Sequence, residues 1–359
     1  MASRSETLAK AAELRTLFEG QGAMAVEPPI LQPAAALLGL YGEDIRARAY
    51  VTSDALRGEQ MLRPDFTVPV VQMHMADGPD PARYTYAGEV FRRQEHDPDR
   101  ANEFVQVGYE VFDRNDPAAA DAEVFALISA ALARLPVRAV TGDIGVLMAA
   151  VEGLQITDRR KQALRRHIWR PKRFRALLDR FAGNTPVPPT RAALIAGNVH
   201  SDAPLVGLRS QAEIDARINA LRADAKEPPI LQSQVDLILT LLDVRENMPV
   251  ALVQLQKLAA EMPAIASAVA RVAARETALR ARGIETANLM FEASHGRTSM
   301  EYYDGFVFGF RAIERSDLPA IASGGRYDAL TRQLGQGAEI PAVGGVMRPG
   351  LMLKLEGGV

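Results

Sequence analysis

The sequence predicts an α+β fold in which an antiparallel sheet flanked by helices is assembled from both ends of the chain. Three observations carry this. Tyr84 to Arg92 and Glu103 to Phe112 read as neighbouring strands around a polar loop. From residue 156 to 282 the texture changes to Ala, Leu and Arg at helical spacing, and after Gly283 strand character returns. A sheet that is interrupted by helices and then completed implies a core of residues 1–155 and 283–359 with a mostly helical insertion at 156–282. The 359 residues suffice for two such units, each with its own apolar interior.

In chain order, Ser5 followed by Leu8, Ala11, Leu14 and Phe18 predicts a capped amphipathic helix. Met1 to Lys10 lacks the apolar segment of a secretion signal, so this helix is structural. Val26 to Gln32 and Ala47 to Thr52 read as extended, and Thr67 to Met75 as helical. The loop Arg93 to Asn102 is rich in Asp, Pro, His and Arg, which suits a solvated hairpin connection. Asp116 followed by Pro117 supplies a cap and a first turn for a helix running to Arg134, where Pro136 stops it. Within the helical block the breaks fall near Pro171, Pro186 to Pro189, Pro228 and Pro263. Asn288 to Ser294, Tyr302 to Ala312 and Pro341 to Met347 complete the strands, with a helix after Arg326.

Composition excludes several classes of function. Forty-two basic and 44 acidic side chains leave a net charge of -2, so no whole-chain field attracts nucleic acid or an anionic membrane. Cysteine is absent, which removes disulfides, thiolate nucleophiles and Cys-held metals. No apolar run is long enough to span a bilayer, and the expected location is the cytoplasm. There is no G-x-x-x-x-G-K-[ST] phosphate cradle, no dinucleotide glycine pattern and no G-x-S-x-G elbow. His74, His96, His167, His200 and His295 fall in no dense ligand spacing, so neither a metal nor a cofactor is expected. Arg159 to Arg175 holds nine Lys or Arg and no acid; a solvated or internally paired helix face is the plain reading, docking onto an acidic partner the alternative. EPPILQ occurs at Glu27 to Gln32 and Glu227 to Gln232, but the flanks differ and the repeat reads as coincidence.

Separated motifs speak more specifically. Leu62-Arg63-Pro64-Asp65-Phe66-Thr67, then Tyr86 to Arg92 leading to Phe104-Val105-Gln106-Val107-Gly108-Tyr109-Glu110, resemble the LRPEGT and motif 2 segments of histidyl-tRNA synthetases. Met300-Glu301-Tyr302-Tyr303, Gly324-Gly325-Arg326-Tyr327-Asp328 and Pro341-Ala342-Val343-Gly344 resemble that family's DYY, GGRYD and motif 3 segments, in the family's order and spacing. The resemblance implies a class II aminoacyl-tRNA synthetase-like catalytic-core fold with a pocket for free histidine. An α-ammonium donates three hydrogen bonds and accepts none, a need that Asp65, Thr67 and Gln106 answer. By the same resemblance Glu110 and Tyr303 serve the two imidazole nitrogens, Tyr302 walls the pocket and Arg92 completes the set.

The departures point within the family. Thr298 stands where the synthetases carry an Arg before the Tyr pair, and Leu351 where a second Arg meets the ATP phosphates. One such charge is worth roughly 10³ to 10⁵ in rate, so adenylation is not expected and no residue is assigned as catalytic. Only residues 352–359 follow Leu351, and no anticodon-binding domain is expected there. This combination resembles the synthetase paralogues that serve as regulatory subunits of ATP phosphoribosyltransferase. That resemblance implies partnership with the short-form catalytic subunit in the first step of histidine biosynthesis. It also implies self-association as a dimer within a hetero-octamer, free histidine as feedback effector, and neither tRNA nor membrane as partner. Thr298 leaves the effector's carboxylate without a cation, for which Arg326 or a partner residue is the candidate. The rival reading is a truncated class II amino-acid-activating ligase.

Overall fold

A computed structural model describes residues 3–41, 45–94, 100–199, 204, 206, 207, 209–297 and 302–357. Its strands are β1 (Met24–Ala25), β2 (Leu31–Pro33), β3 (Val51–Asp54), β4 (Gly58–Leu62), β5 (Ala82–Phe91), β6 (Glu103–Phe112), β7 (Val137–Asp143), β8 (Arg245–Asn247), β9 (Met290–Glu292), β10 (Phe306–Ala312), β11 (Ala322–Arg326) and β12 (Ala342–Met347). Among the described residues nine of them form one sheet in the order β1-β5-β6-β12-β11-β10-β7-β9-β8, and β2-β4-β3 form a small antiparallel sheet. The large sheet is antiparallel except where β1 meets β5 and β7 meets β9. Strands from the two ends of the chain are neighbours, β6 beside β12 and β7 beside β10.

The predicted hairpin is the backbone of this sheet. β5 and β6 pair from Ala82 opposite Phe112 to Phe91 opposite Glu103, and Arg92 N donates to Asn102 O at 2.8 Å beyond the last rung. Alternation along β6 sorts its side chains: Val105, Val107, Tyr109 and Val111 lie on one face, Gln106, Gly108 and Glu110 on the other. The first face is covered by the helix Arg4–Glu19, whose buried Phe18 meets the Tyr109 ring at 5.3 Å. That helix is capped by Ser3 rather than the predicted Ser5, because Ser3 and Glu6 satisfy each other's backbone N–H in a reciprocal box. The helix Pro117–Ala131 covers the rest of this face, with Phe125 packed on Phe306, Phe308 and Phe310, which alternate along β10 and so share one of its faces. Its N-cap is Asp116, as the sequence indicates.

Other expectations shift. Val26 to Gln32 is extended only at its end, where Leu31 and Gln32 enter β2, while β1 precedes Val26; Ala47 to Thr52 is the end of the short helix Ile45–Arg48 followed by β3. Ile45 is buried and its carbonyl accepts from Ala49 N at 2.8 Å, which favours the helical turn there. The two EPPILQ copies adopt different structures: Leu31 enters β2, whereas Gln232 begins the helix Gln232–Asp243.

Between residues 156 and 282 the described regular elements are helices except for β8, which pairs with β9 at the edge of the large sheet. Its last helix, Ala266–Ala281, packs on Pro117–Ala131. Part of the basic stretch is internally paired. Arg160 is buried against Asp224 at 2.7 Å, Arg165 meets Glu152 at 2.8 Å, and Arg175 meets Asp179 at 3.4 Å. The stretch is also clasped to the core, since the buried Arg297 donates to Ile168 O at 2.9 Å and lies over the Phe174 ring. Among the described residues no helix is long and apolar enough to cross a membrane.

Candidate functional site

Glu110 is the centre of the site. It projects from β6 on the face away from Phe18 and is 1% exposed. Its Oε1 accepts from Tyr86 OH at 2.8 Å and Thr67 Oγ1 at 3.2 Å, and its Oε2 accepts from Tyr327 OH at 2.6 Å. Burial raises its pKa to about 7 against the opposing pull of these three hydroxyls, and the nearby Asp65 raises it further. A carboxylate offers about four acceptor positions, so one remains beside Tyr327.

The register explains why the carboxylate fits. Glu110 lies opposite Tyr84 on β5 and Gly344 on β12, and Gly344 lies opposite Gly325 on β11. A Cβ built on Gly344 would stand 1.4 Å from Glu110 Oε2, and one on Gly325 would stand 2.8 Å from the Tyr303 ring. These two glycines form a bare floor on which Glu110 and Tyr303 lie. Gly344→Ala is expected to displace Glu110 and to lower stability by about 1–3 kcal/mol, as overpacking does. Thermal unfolding checks this, and an unchanged midpoint would contradict the close approach.

Each neighbour is placed by a local device. Asp65 and Thr67 open the helix Thr67–Asp77, where Asp65 Oδ1 accepts from Val68 N at 3.4 Å. Phe66 stacks on Tyr86 at 4.3 Å, and Arg63 lies over Phe66 while donating to Glu89 O at 2.8 Å. Tyr327 is fixed by its flanking charges. Arg326 pairs with Asp121 at 2.7 Å and with Asp328 at 3.0 Å, and Asp304 accepts from Asp328 N and Ala329 N. Burial and the charge of Asp328 raise Asp304 to about 7. Asp121 also pairs with Arg275, whose other edge lies 2.9 Å from Asp143, so a buried chain of charges joins the helix Ala266–Ala281 to the Tyr327 turn.

Gln106, four residues before Glu110 and on the same face of β6, is fully buried, and neither its Oε1 nor its Nε2 has a hydrogen-bond partner among the described residues. Leaving such groups unanswered costs about 1–3 kcal/mol each. An amide held at that expense on the face of β6 that presents Glu110 fits a polar ligand with donors and acceptors of its own.

The structure therefore brings Asp65, Thr67, Glu110 and Tyr303 together, with Gln106 farther along the same face of β6 and Tyr302 edge-on to Tyr303 at 4.8 Å. Arg92 stands apart from this cluster. Its Nε donates to Pro64 O at 2.7 Å, and with Tyr303 it lines an adjoining cleft of about 1430 Å³. Asp65, Thr67, Gln106 and Glu110 are not among the residues that line that cleft. Leu351 and Arg348 line it too. Thr298, Met300 and Glu301 lie outside the described residues. The suggestion that Arg326 serves the cleft fails, because Asp121, Asp328 and Pro117 O occupy its guanidinium.

Sequence reasoning missed Tyr86, Tyr327 and Arg348. Tyr327 sits inside the GGRYD motif, and the hairpin register sets Tyr86 across from Gly108, so both carried a signal. Arg348 had none, being three residues ahead of the position where an Arg was sought.

The histidyl-tRNA synthetase family matches residues 2–349. An ATP phosphoribosyltransferase regulatory subunit of Brucella anthropi is 32% identical over 92% of this chain and 93% of its own. That of Brucella ovis is 30% identical over the same shares. Among solved structures, an ATP phosphoribosyltransferase regulatory subunit/histidyl-tRNA synthetase from Bacillus halodurans is similar with a TM-score of 0.69 at 19% identity, covering 98% of this chain and 79% of that one. A histidine–tRNA ligase subunit from Alicyclobacillus acidocaldarius is similar with a TM-score of 0.62 at 22% identity, covering 99% and 93%. The class II synthetase-like fold read from the motifs thus agrees with these neighbours, and the chain belongs to the histidyl-tRNA synthetase family, among the ATP phosphoribosyltransferase regulatory subunits.

Proposed function

We propose that this chain is the non-catalytic regulatory subunit that activates the short catalytic subunit of ATP phosphoribosyltransferase. In this reading it acts in the cytoplasm, in the first step of histidine biosynthesis, and makes that step sensitive to histidine. It works as a dimer within a hetero-octamer, with residues 156–282 as an insertion in the synthetase-like core. The observation that carries the reading is the buried, unanswered Gln106 amide on the face of β6 that also presents Glu110, whose carboxylate meets Thr67 and Asp65, in a chain whose relatives are named regulatory subunits. Two acids, an amide and hydroxyls match the ammonium and imidazole of histidine. Feedback requires that histidine favour the inhibited assembly, a coupling of about 1–3 kcal/mol.

Reconstitution tests this. Adding the chain to the short catalytic subunit is expected to switch on phosphoribosyl-ATP formation, and histidine to suppress it. Activity indifferent to the chain would defeat the proposal.

One observation favours the ligase reading. The cleft is not stripped of cations as the losses at Thr298 and Leu351 suggest, because Arg348 enters it one helical turn before Leu351. Histidine-dependent exchange of pyrophosphate into ATP separates the two. We expect none, since Arg348 is tethered by Ala320 O and Ser323 Oγ instead of extending from the Leu351 position.

A further inference from the structure

Arg348 is the N-cap residue of the helix Pro349–Glu356. Its Nη1 donates to Ala320 O at 2.7 Å and its Nη2 to Ser323 Oγ at 3.3 Å. Arg92 is held in the same manner, through Nε to Pro64 O at 2.7 Å. Both are half-buried, both line the cleft, and among the described residues neither forms an ion pair with a carboxylate. The acceptors that fix them are neutral, so the guanidiniums are oriented but not neutralised. They also oppose each other. Burial, then the charges of Arg92 and Arg100, lower Arg348 to about 10. Like charges held together in a partly dry cleft are unfavourable unless an anion joins them.

The adjoining pocket has the opposite character. Asp65 and Glu110 are buried near each other, with Gln106 buried on the same face of β6 as Glu110, which suits the cationic and imidazole ends of an amino acid and leaves its carboxylate unprovided for. The two regions share a wall. Pro64, which holds Arg92, adjoins Asp65 in sequence; Tyr303 faces the charges of Glu110 and Asp65 on one side and Arg348 on the other. Arg326, the other candidate, is committed to Asp121 and Asp328.

Resting on the histidine reading of the pocket, we infer that Arg348, together with Arg92, binds the α-carboxylate of the amino-acid effector and so supplies from the last helix the cation that Thr298 lacks. Arg348 is thereby the residue that distinguishes an amino acid from the corresponding amine.

The test compares histidine with histamine, which keeps the imidazole and ammonium but has no carboxylate. Calorimetric titration into the full-length chain and into its complex with the catalytic subunit is expected to show histidine bound more tightly than histamine. In Arg348→Gln histidine weakens at least tenfold while histamine changes less than twofold, and Arg348→Lys recovers part of the loss. In the unaltered chain inorganic phosphate competes with histidine and not with histamine, a readout independent of any variant's folding. Equal weakening of both ligands in Arg348→Gln, unchanged histidine affinity, or phosphate without effect on histidine would each overturn the inference while leaving the histidine reading intact. Binding of neither ligand by the unaltered chain overturns that reading and the inference with it.

Discussion

Glu110→Gln is expected to weaken the response to histidine about tenfold to a hundredfold while the complex with the catalytic subunit still forms. The present carboxylate takes three hydroxyl donors and retains one acceptor position for a ligand N–H. An amide has a single acceptor oxygen, so one hydroxyl must turn and the ligand meets an N–H instead of a lone pair. A hydrogen bond to a charged acceptor is worth about 1.5–3 kcal/mol, which sets the size of the effect. Glu110→Ala is a poorer probe, because it strands the hydroxyls of Thr67, Tyr86 and Tyr327 at about 1–3 kcal/mol apiece and so lowers stability as well. Histidine inhibition curves and sedimentation of the assembled complex distinguish the two effects; a full histidine response in Glu110→Gln would remove Glu110 from the site.

The same residue gives a pH signature. Its folded pKa of about 7 lies above the ordinary 4.5, so the folded state binds the proton more tightly. Glu110 therefore contributes stability fully below about 4.5 and loses that contribution as pH rises through about 7. Asp304, raised to about 7, adds a decline in the same region, so the diagnostic quantity is the difference between the unaltered chain and Glu110→Gln. Unfolding free energies for the two, measured from acid to neutral pH, are expected to diverge across this window. Parallel curves would show that burial does not raise the Glu110 pKa.

Arg275→Met is expected to cost about 3–5 kcal/mol of stability, the usual penalty for leaving a buried charge without its partner. Arg275 is 2% exposed and stands between Asp121 and Asp143, themselves 2% and 1% exposed, with its guanidinium over the Phe306 ring. Asp121 keeps Arg326, whereas Asp143 loses the cation beside it. Because Arg326 precedes Tyr327, loosening Asp121 also loosens the hydroxyl that caps Glu110 Oε2, and the histidine response is expected to fall with stability. Denaturant unfolding measures the first effect and effector titration the second. A loss under about 1 kcal/mol would mean that water screens the chain of charges.

Much of the sheet was legible because its strands carry alternation. β5 and β6 announce themselves through Tyr84, Tyr86, Val105 and Val107, and the helix after them through Asp116 and Pro117. β11 did not, since Ser323, Gly324 and Gly325 have low strand propensity. They are nevertheless placed at the centre of the sheet, where Gly325 must pass under Tyr303. β7 was hidden because Arg138, Gly142 and Asp143 dilute its apolar residues and the apolar helix Ile144–Glu152 follows without a break. Within the site, residue types were readable from motifs, but their bonding was not. The donors to Glu110 arrive from β5, from the turn after β11 and from the start of a helix, and only tertiary register brings them to one carboxylate.

The bond from Arg297 to Ile168 O has a practical consequence. Trp169, the only tryptophan in the chain, follows Ile168 directly and is half-buried. Its fluorescence is thus a native optical reporter on the clasp between the helical block and the segment that leads to Tyr302 and Tyr303, needing no label and no engineered residue.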